Sequence, residues 1–357
     1  MKSKKLLLTI IAFVAIAFSA QATVHRVNNS PGVDADFNNL GTAISNASTG
    51  DTLYVESSST SYGSISISKK LTIIGTGFML DANDSTQVDK NESQITSCSW
   101  NSGSEGSVIY GMYCTGTMYV NADNITIIRN HFYVNTSYNN CIQLQSGHSN
   151  IAIVQNFVQH NYTSSSSSYR CLWYDGNNQN IFVSNNVFYR GNSASFTSST
   201  NSYAYAVYTQ SSNTTSTFVK NIFIGQTYIY NATMEDNIHV VGNFTGGSNN
   251  YFNNISWNTY FGSANGNLQN VTMTGNNVFQ ETTDGHTHDE DGFWQLSPSS
   301  AASGVGKSGD DCGVFDGALG WKLSGMPPIP AIFEATVPTI GTPSSGINVN
   351  IKAKTHR

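Results

Sequence analysis

Charge is scarce in this sequence. Asp, Glu, Lys and Arg make up 11% of its 357 residues, against about a quarter in ordinary soluble domains. Long amphipathic helices with charged outer faces are therefore excluded, and a helical bundle with them. The few charges lean acidic, 16 basic against 22 acidic for a net of −6. That balance leaves no basic face for nucleic acid. No apolar run is long enough to span a bilayer. Cysteine is limited to Cys98, Cys114, Cys141, Cys171 and Cys312, with no CxxC and no Cys/His metal spacing.

The first residues carry an address rather than a fold. Three lysines in residues 1–5, thirteen uncharged residues at 6–18 and Ser19-Ala20-Gln21-Ala22 form a secretory signal pattern. Cleavage is expected after Ala22, with a periplasmic, surface or released destination. The mature chain would have 335 residues, 13 basic and 22 acidic, and a net charge near −9.

Asparagine is in excess: 41 in all, 31 of them between residues 121 and 277. Hydrophobic residues still reach 39%, so a core must be built around many polar side chains. Residues 36–47 have helical spacing, with Phe37, Leu40, Ala43, Ile44 and Ala47 on one stripe. Short β runs follow: TLYV at 52–55, SISI at 64–67 and LTII at 71–74.

The middle of the chain repeats N-h-x-h-x-x-N-x-h, with h mostly apolar. Copies begin at Asn124, Asn150 and Asn180, and their second asparagines are Asn130, Asn156 and Asn186. Looser copies end at Asn221, Asn243 and Asn276, with Asn254 as a competing register. The steps of 26, 30, 35, 22 and 33 residues are too uneven for a propeller or a fixed-period helical solenoid. They fit an all-β fold, a right-handed parallel β-helix whose coils carry loops of any length. The predicted helix would cap its amino-terminal end. Asn130, Asn156, Asn186 and Asn221 are expected to form a structural asparagine ladder at turns needing positive φ.

The stretches AISNASTGDTLYV (43–55), SISISKKLTIIGTG (64–77) and GSEGSVIYGMY (103–113) resemble coils of secreted bacterial parallel β-helix proteins of the pectin-lyase-like superfamily. LSPSSAASGVGKSGDDCGVFDG (296–317) resembles their closing coil. The resemblance implies a signal peptide at 1–22, a β-helix at 23–320 and an extended closing tail at 321–357. Its members include lyases, hydrolases, epimerases and non-catalytic surface proteins, so fold alone does not assign activity. The NTDG and RIK segments of its pectin hydrolases are missing, and Gly147-His148 is followed by Ser149 rather than Gly. Asp310-Asp311 falls where an Asp before Gly serves a turn. A lyase would need Arg or Lys beside a uronate, and calcium only in that case. No other cofactor and no metal site is expected.

Counting back from the ladder places Gln143, Trp173, Tyr208 and Tyr230 in one outward column, with Gln145, Asp175 and Gln210 two residues on. Aromatic faces beside amides and carboxylates suit a polysaccharide or cell-surface glycan. Ordinary strand residues under long loops would give the same pattern. Those loops are expected at 162–169 and 191–202. Arg170 and Arg190 flank this column and suit an acidic sugar. Arg129 and Lys220 precede ladder asparagines and are expected at the solvated surface. Cys141 and Cys171 share an outward column, which permits a cross-coil disulfide or two stacked thiols. The segment 284–291, with His286 and His288, is expected to be a solvated acidic loop, a divalent-ion site being the alternative. The favoured reading is a glycan-binding or adhesive protein without clear catalytic residues. The alternative is a polysaccharide lyase or glycoside hydrolase acting on an acidic polysaccharide.

Overall fold

The computed structural model describes residues 22–136, 140–161, 169–174, 176–190, 205–209, 213–273, 276–280, 290–338 and 346–355. Its strands run in repeating triplets. Met118–Val120, Thr126–Ile128 and His131–Val134 make one coil, and Ile142–Leu144, Ser149–Val154 and Phe157–His160 the next. Each triplet gives one strand to each of three parallel sheets, one ten-stranded and two eight-stranded. Eight coils are complete, preceded by Val24–Val27 and Thr52–Val55 of the ten-stranded sheet. The fold is a right-handed parallel β-helix. Alternation along each strand sends Val120, Ile127, Phe132, Ile142, Leu172 and Phe188 into one continuous core.

The capping helix, α1, is shorter than the periodicity suggests, Leu40–Asn46. Asn39 is its N-cap, accepting from Thr42 N at 2.9 Å. Its buried Leu40, Ala43 and Ile44 belong to the same core. At the other end Phe261, with Tyr260 and Tyr251 beside it, packs against the core.

The asparagine ladder is present, but its register and geometry both differ from expectation. It runs Asn130, Asn156, Asn186, Asn221, Asn237, Asn254 and Asn267, each Nδ2 donating to the next Oδ1 at 2.9–3.1 Å. Asn243 and Asn276 are not members. The last steps are 16, 17 and 13 residues, because these coils lack the long loops of the middle ones. Positive φ falls on the residue before each ladder position instead: Arg129 53°, Gln155 55°, Asn185 54°, Lys220 55°, Asp236 59° and Asn253 54°. That left-handed residue turns the corner and aims the following amide inward. There it satisfies backbone groups that the turn leaves unpaired, as Asn186 does with Ile153 O and Ser184 O.

The side chains of this left-handed column are not solvated. Residues 305–326 run back along the coils as a strap, and the column bonds to its backbone in sequence. Asn253 Nδ2 donates to Val305 O at 3.1 Å, and Lys307 N donates to Asp236 Oδ1 at 2.9 Å. Lys220 Nζ donates to Asp311 O at 2.6 Å and pairs with Asp236 at 3.2 Å. Asn185 Nδ2 reaches Val314 O, and Gln155 Nε2 reaches Leu319 O and Gly320 O. Arg129 Nη1 reaches Met326 O at 2.9 Å while its guanidinium lies 5.2 Å over the Tyr110 ring. Arg129 and Lys220, expected at the surface, are thus buried. Gly325, at φ 51°, passes so close that a Cβ would lie 2.2 Å from Phe78 Cε1.

The strap and the residues before it cover the outer face of one eight-stranded sheet. Phe157, Val187, Tyr189, Ile222, Ile224 and Ile238 pack there against Val278, Phe279, Phe293, Trp294, Val314 and Trp321. We call this the covered sheet, since strands such as Val187–Arg190 are buried on both faces. Segment 296–317 forms no strand of the three sheets, so it is not a closing coil. Asp311 accepts from Ser303 Oγ and Gly304 N, a turn role as expected. Beyond the strap, Pro330–Thr336 and Asn350–Thr355 form an antiparallel ribbon, anchored by Val88 N donating to Ile332 O.

Two buried histidines make the fold acid-sensitive. Burial lowers His131 from 6.5 to about 3 and His239 to about 4. The native state keeps both neutral, whereas the unfolded chain protonates them below about pH 6.5, so stability falls as pH drops through that window. Each histidine costs about 1.4 kcal/mol per pH unit there. Replacing both with phenylalanine should therefore flatten the acid limb. In urea unfolding, the gap between wild type and His131→Phe/His239→Phe should shift by about 5 kcal/mol from pH 6.5 to 4.5. A constant gap would mean that the rings are already hydrated or paired.

Candidate functional site

The outward residues of the second eight-stranded sheet are half-buried or exposed, and the strap does not pack on them. Pairing aligns Ser66, Ser99, Tyr119, Gln143, Trp173, Tyr208, Tyr228 and Thr245 in one outward column. Gln143, Trp173 and Tyr208 are where the sequence places them. Tyr230 is not. Tyr208 stands opposite Tyr228, and Tyr230 lies two residues on, opposite Gly247; the count back from Asn243 starts from an asparagine outside the ladder. Tyr119 and Tyr228 are the aromatic members that sequence reasoning missed.

The rings are close enough to act as one surface. Tyr208 and Tyr228 stack with centroids 4.9 Å apart and planes 13° apart. Tyr230 follows 5.2 Å from Tyr228, and the two hydroxyls are 3.4 Å apart. That hydrogen bond is the first cause raising the Tyr228 phenol to about 12, with burial next, so it stays a neutral hydroxyl through the physiological range. Arg170 sits in the flanking column, its guanidinium 4.4 Å over Tyr208 and 5.5 Å from Trp173. A cation over ring faces holds both side and charge in place. Asn140 Nδ2 donates to Gln143 Oε1 at 3.0 Å, fixing that amide.

The eight strands of this sheet contain no Asp or Glu, and Arg170 is their one cation. In a chain with 22 acidic residues, these strands carry none of the carboxylates that would repel an anionic chain. It offers ring faces, amides and hydroxyls, the groups that take up sugar C–H faces and hydroxyls.

Other sequence candidates fall elsewhere. Asp175, Gln210, His286 and His288 lie outside the described residues, as do most of both expected loops. Gln145 is half-buried where its strand ends. Arg190 is not on this sheet. It ends a strand of the covered sheet, where alternation turns it inward, and its Nη1 donates to His160 O at 3.1 Å. Burial lowers its pKa.

Cys141 and Cys171 are also interior, and the cross-coil disulfide is not formed. The chain bends at these positions, and each thiol donates into the corner, to Gln159 O and Tyr189 O, both at 3.3 Å. His148, in the Gly147-His148-Ser149 turn, is held 3.0 Å from both Asp123 and Asn121. Asp291, expected in a solvated loop, is fully buried. It accepts from Asn83 Nδ2 at 2.8 Å, Trp321 Nε1 at 3.2 Å and Ser324 N at 2.6 Å.

The chain matches no protein-family model, no curated protein and no solved structure. The site's own chemistry therefore carries the functional argument. Among the described residues no helix is long and apolar enough to cross a membrane.

Proposed function

We propose that this protein is exported and binds a polysaccharide or cell-surface glycan along the aromatic column, without cleaving it. The observation that carries this reading is the continuous run of Trp173, Tyr208 and Tyr228 on a sheet whose strands carry no carboxylate. The signal pattern at residues 1–22 supports export. The coil architecture supports placement in the pectin-lyase-like superfamily, and the missing NTDG and RIK segments favour its non-catalytic members. A polysaccharide lyase is the second reading, and Arg170 is the residue that favours it, as a cation on the same face.

Trp173→Ala tests the proposal by affinity electrophoresis through gels containing a retained polysaccharide. Loss of a central aromatic anchor is expected to cost about 2 kcal/mol, or about thirtyfold in Kd. Unchanged retention of the variant would remove the column as the binding surface.

A further inference from the structure

A second amide ladder runs along the corner between the aromatic sheet and the ten-stranded sheet. Asn124, Asn150 and Asn180 turn there at φ 59°, 58° and 55°. Asn150 Nδ2 donates to Asn124 Oδ1 at 3.1 Å, and Asn180 Nδ2 to Asn150 Oδ1 at 2.7 Å. The ladder then stops. The next coil brings Thr215, whose Oγ1 accepts from Asn180 N at 2.8 Å. Later coils turn at Asn231 and Ser248. Outward residues change as well: where the two coils before present Ala152 and Phe182, these present Thr217, Thr233 and Asn250 in register. A cleft of 330 Å³ opens between the ladder's end and these residues. Asn180, Thr217, Asn231, Thr233, Ser248 and Asn250 line it, and among the described residues no charged side chain does.

Two residues lining the cleft adjoin the end of the aromatic column. Tyr230 directly precedes Asn231, and Gly247 directly precedes Ser248. The Tyr230 ring lies over the bare Gly247 rung, where an added Cβ would come within 2.9 Å of Cε1. Trp173, Tyr208 and Tyr228 lead rung by rung to the strand whose Tyr230 precedes the cleft.

We infer that this cleft is a subsite for one uncharged sugar unit of a glycan lying on the column, its ring against Tyr230 and its hydroxyls on the cleft's threonines and asparagines. Hydroxyls and amides both donate and accept, which matches sugar hydroxyls. A uronate carboxylate would lose water there without gaining a cation. The inference rests on the glycan-binding reading and adds to it the place and charge class of one bound unit.

The test is calorimetric titration of the full mature chain with gluco-, manno- and xylohexaose, and with galacturonate hexaose as the anionic comparator. Thr217→Val/Thr233→Val keeps β-branched shape on an open strand face while removing two hydroxyls, and Gly247→Ala displaces the Tyr230 ring. Circular dichroism checks that each variant is folded. Wild type should bind a neutral hexaose, and each variant should bind it about tenfold more weakly, the loss of one or two hydrogen bonds. Trp173→Ala should weaken it too. If Trp173→Ala loses binding while both cleft variants match wild type, the column stands and the subsite falls. Binding of galacturonate hexaose alone, indifferent to the cleft variants, also overturns the subsite. No binding of any hexaose by wild type overturns both.

Discussion

Asn186→Ala is expected to destabilise the protein by about 4 kcal/mol, near the upper end for a single substitution. Asn186 is the middle of the inner ladder and is fully buried. Its Oδ1 accepts from Asn156 N and Nδ2, and its Nδ2 donates to Ile153 O, Ser184 O and Asn221 Oδ1. Alanine leaves Asn156 N without an acceptor inside a dry column and a void beside it. Asn186→Asp should be no milder despite its matching shape. A carboxylate oxygen would then face three acceptors where a donor is required. Urea unfolding of both variants measures this. A loss below about 1 kcal/mol would mean that the ladder is a passenger of the fold.

Asp291→Ala should cost about 3 kcal/mol, for a different reason. Asp291 is the pin that joins the strap to the amino-terminal coils, bonding Trp321 and Ser324 on one side and Asn83 on the other. Alanine strands the Trp321 indole N–H and Ser324 N in a buried site. Asp291→Asn should be nearly neutral, since its Oδ1 can serve Trp321 and Ser324 while the Asn83 amide reverses. The two variants should also separate with pH. Burial raises the Asp291 pKa, against the pull of Asn83, Ser324 and Trp321. The native state therefore holds this proton more tightly than the unfolded chain does. Its contribution is largest in acid and falls as pH rises through the raised value. Asp291→Asn should gain on wild type over that rise, a trend readable in urea midpoints.

The fold was legible because its repeat serves two needs at once. Apolar residues at alternate positions fill the core, and the paired asparagines mark two of the three corners of a coil. The copies at Asn124, Asn150 and Asn180 show this without ambiguity. Register was lost after Asn221, where coils shrink to 16 and 17 residues and asparagines stand at 231, 237, 243, 249, 250, 253 and 254. With so many candidates at such short spacing, counting cannot select the ones that turn inward.

The strap was illegible for a more general reason. It is recognised largely through its backbone carbonyls, which every residue carries. Nothing in the spelling of Val305, Asp311, Leu319 or Met326 announces that Asn253, Lys220, Gln155 and Arg129 will bond to them. The same blindness put Arg129 and Lys220 at the surface and Asp291 in solvent. On the aromatic sheet, Gln143, Trp173 and Tyr208 followed from strand alternation alone. Tyr228 did not, because the count ran back from Asn243, which is not in the ladder, and so reached Tyr230 two residues along the same strand.

The most direct measurement is incubation of the mature chain with a panel of neutral and acidic polysaccharides, followed by size chromatography of both protein and sugar. The account predicts that at least one polysaccharide shifts the protein to the void fraction, that Trp173→Ala abolishes the shift, and that the sugar keeps its size. Shortened or unsaturated oligosaccharides would contradict binding without cleavage, and a protein unshifted by every polysaccharide would contradict glycan binding itself.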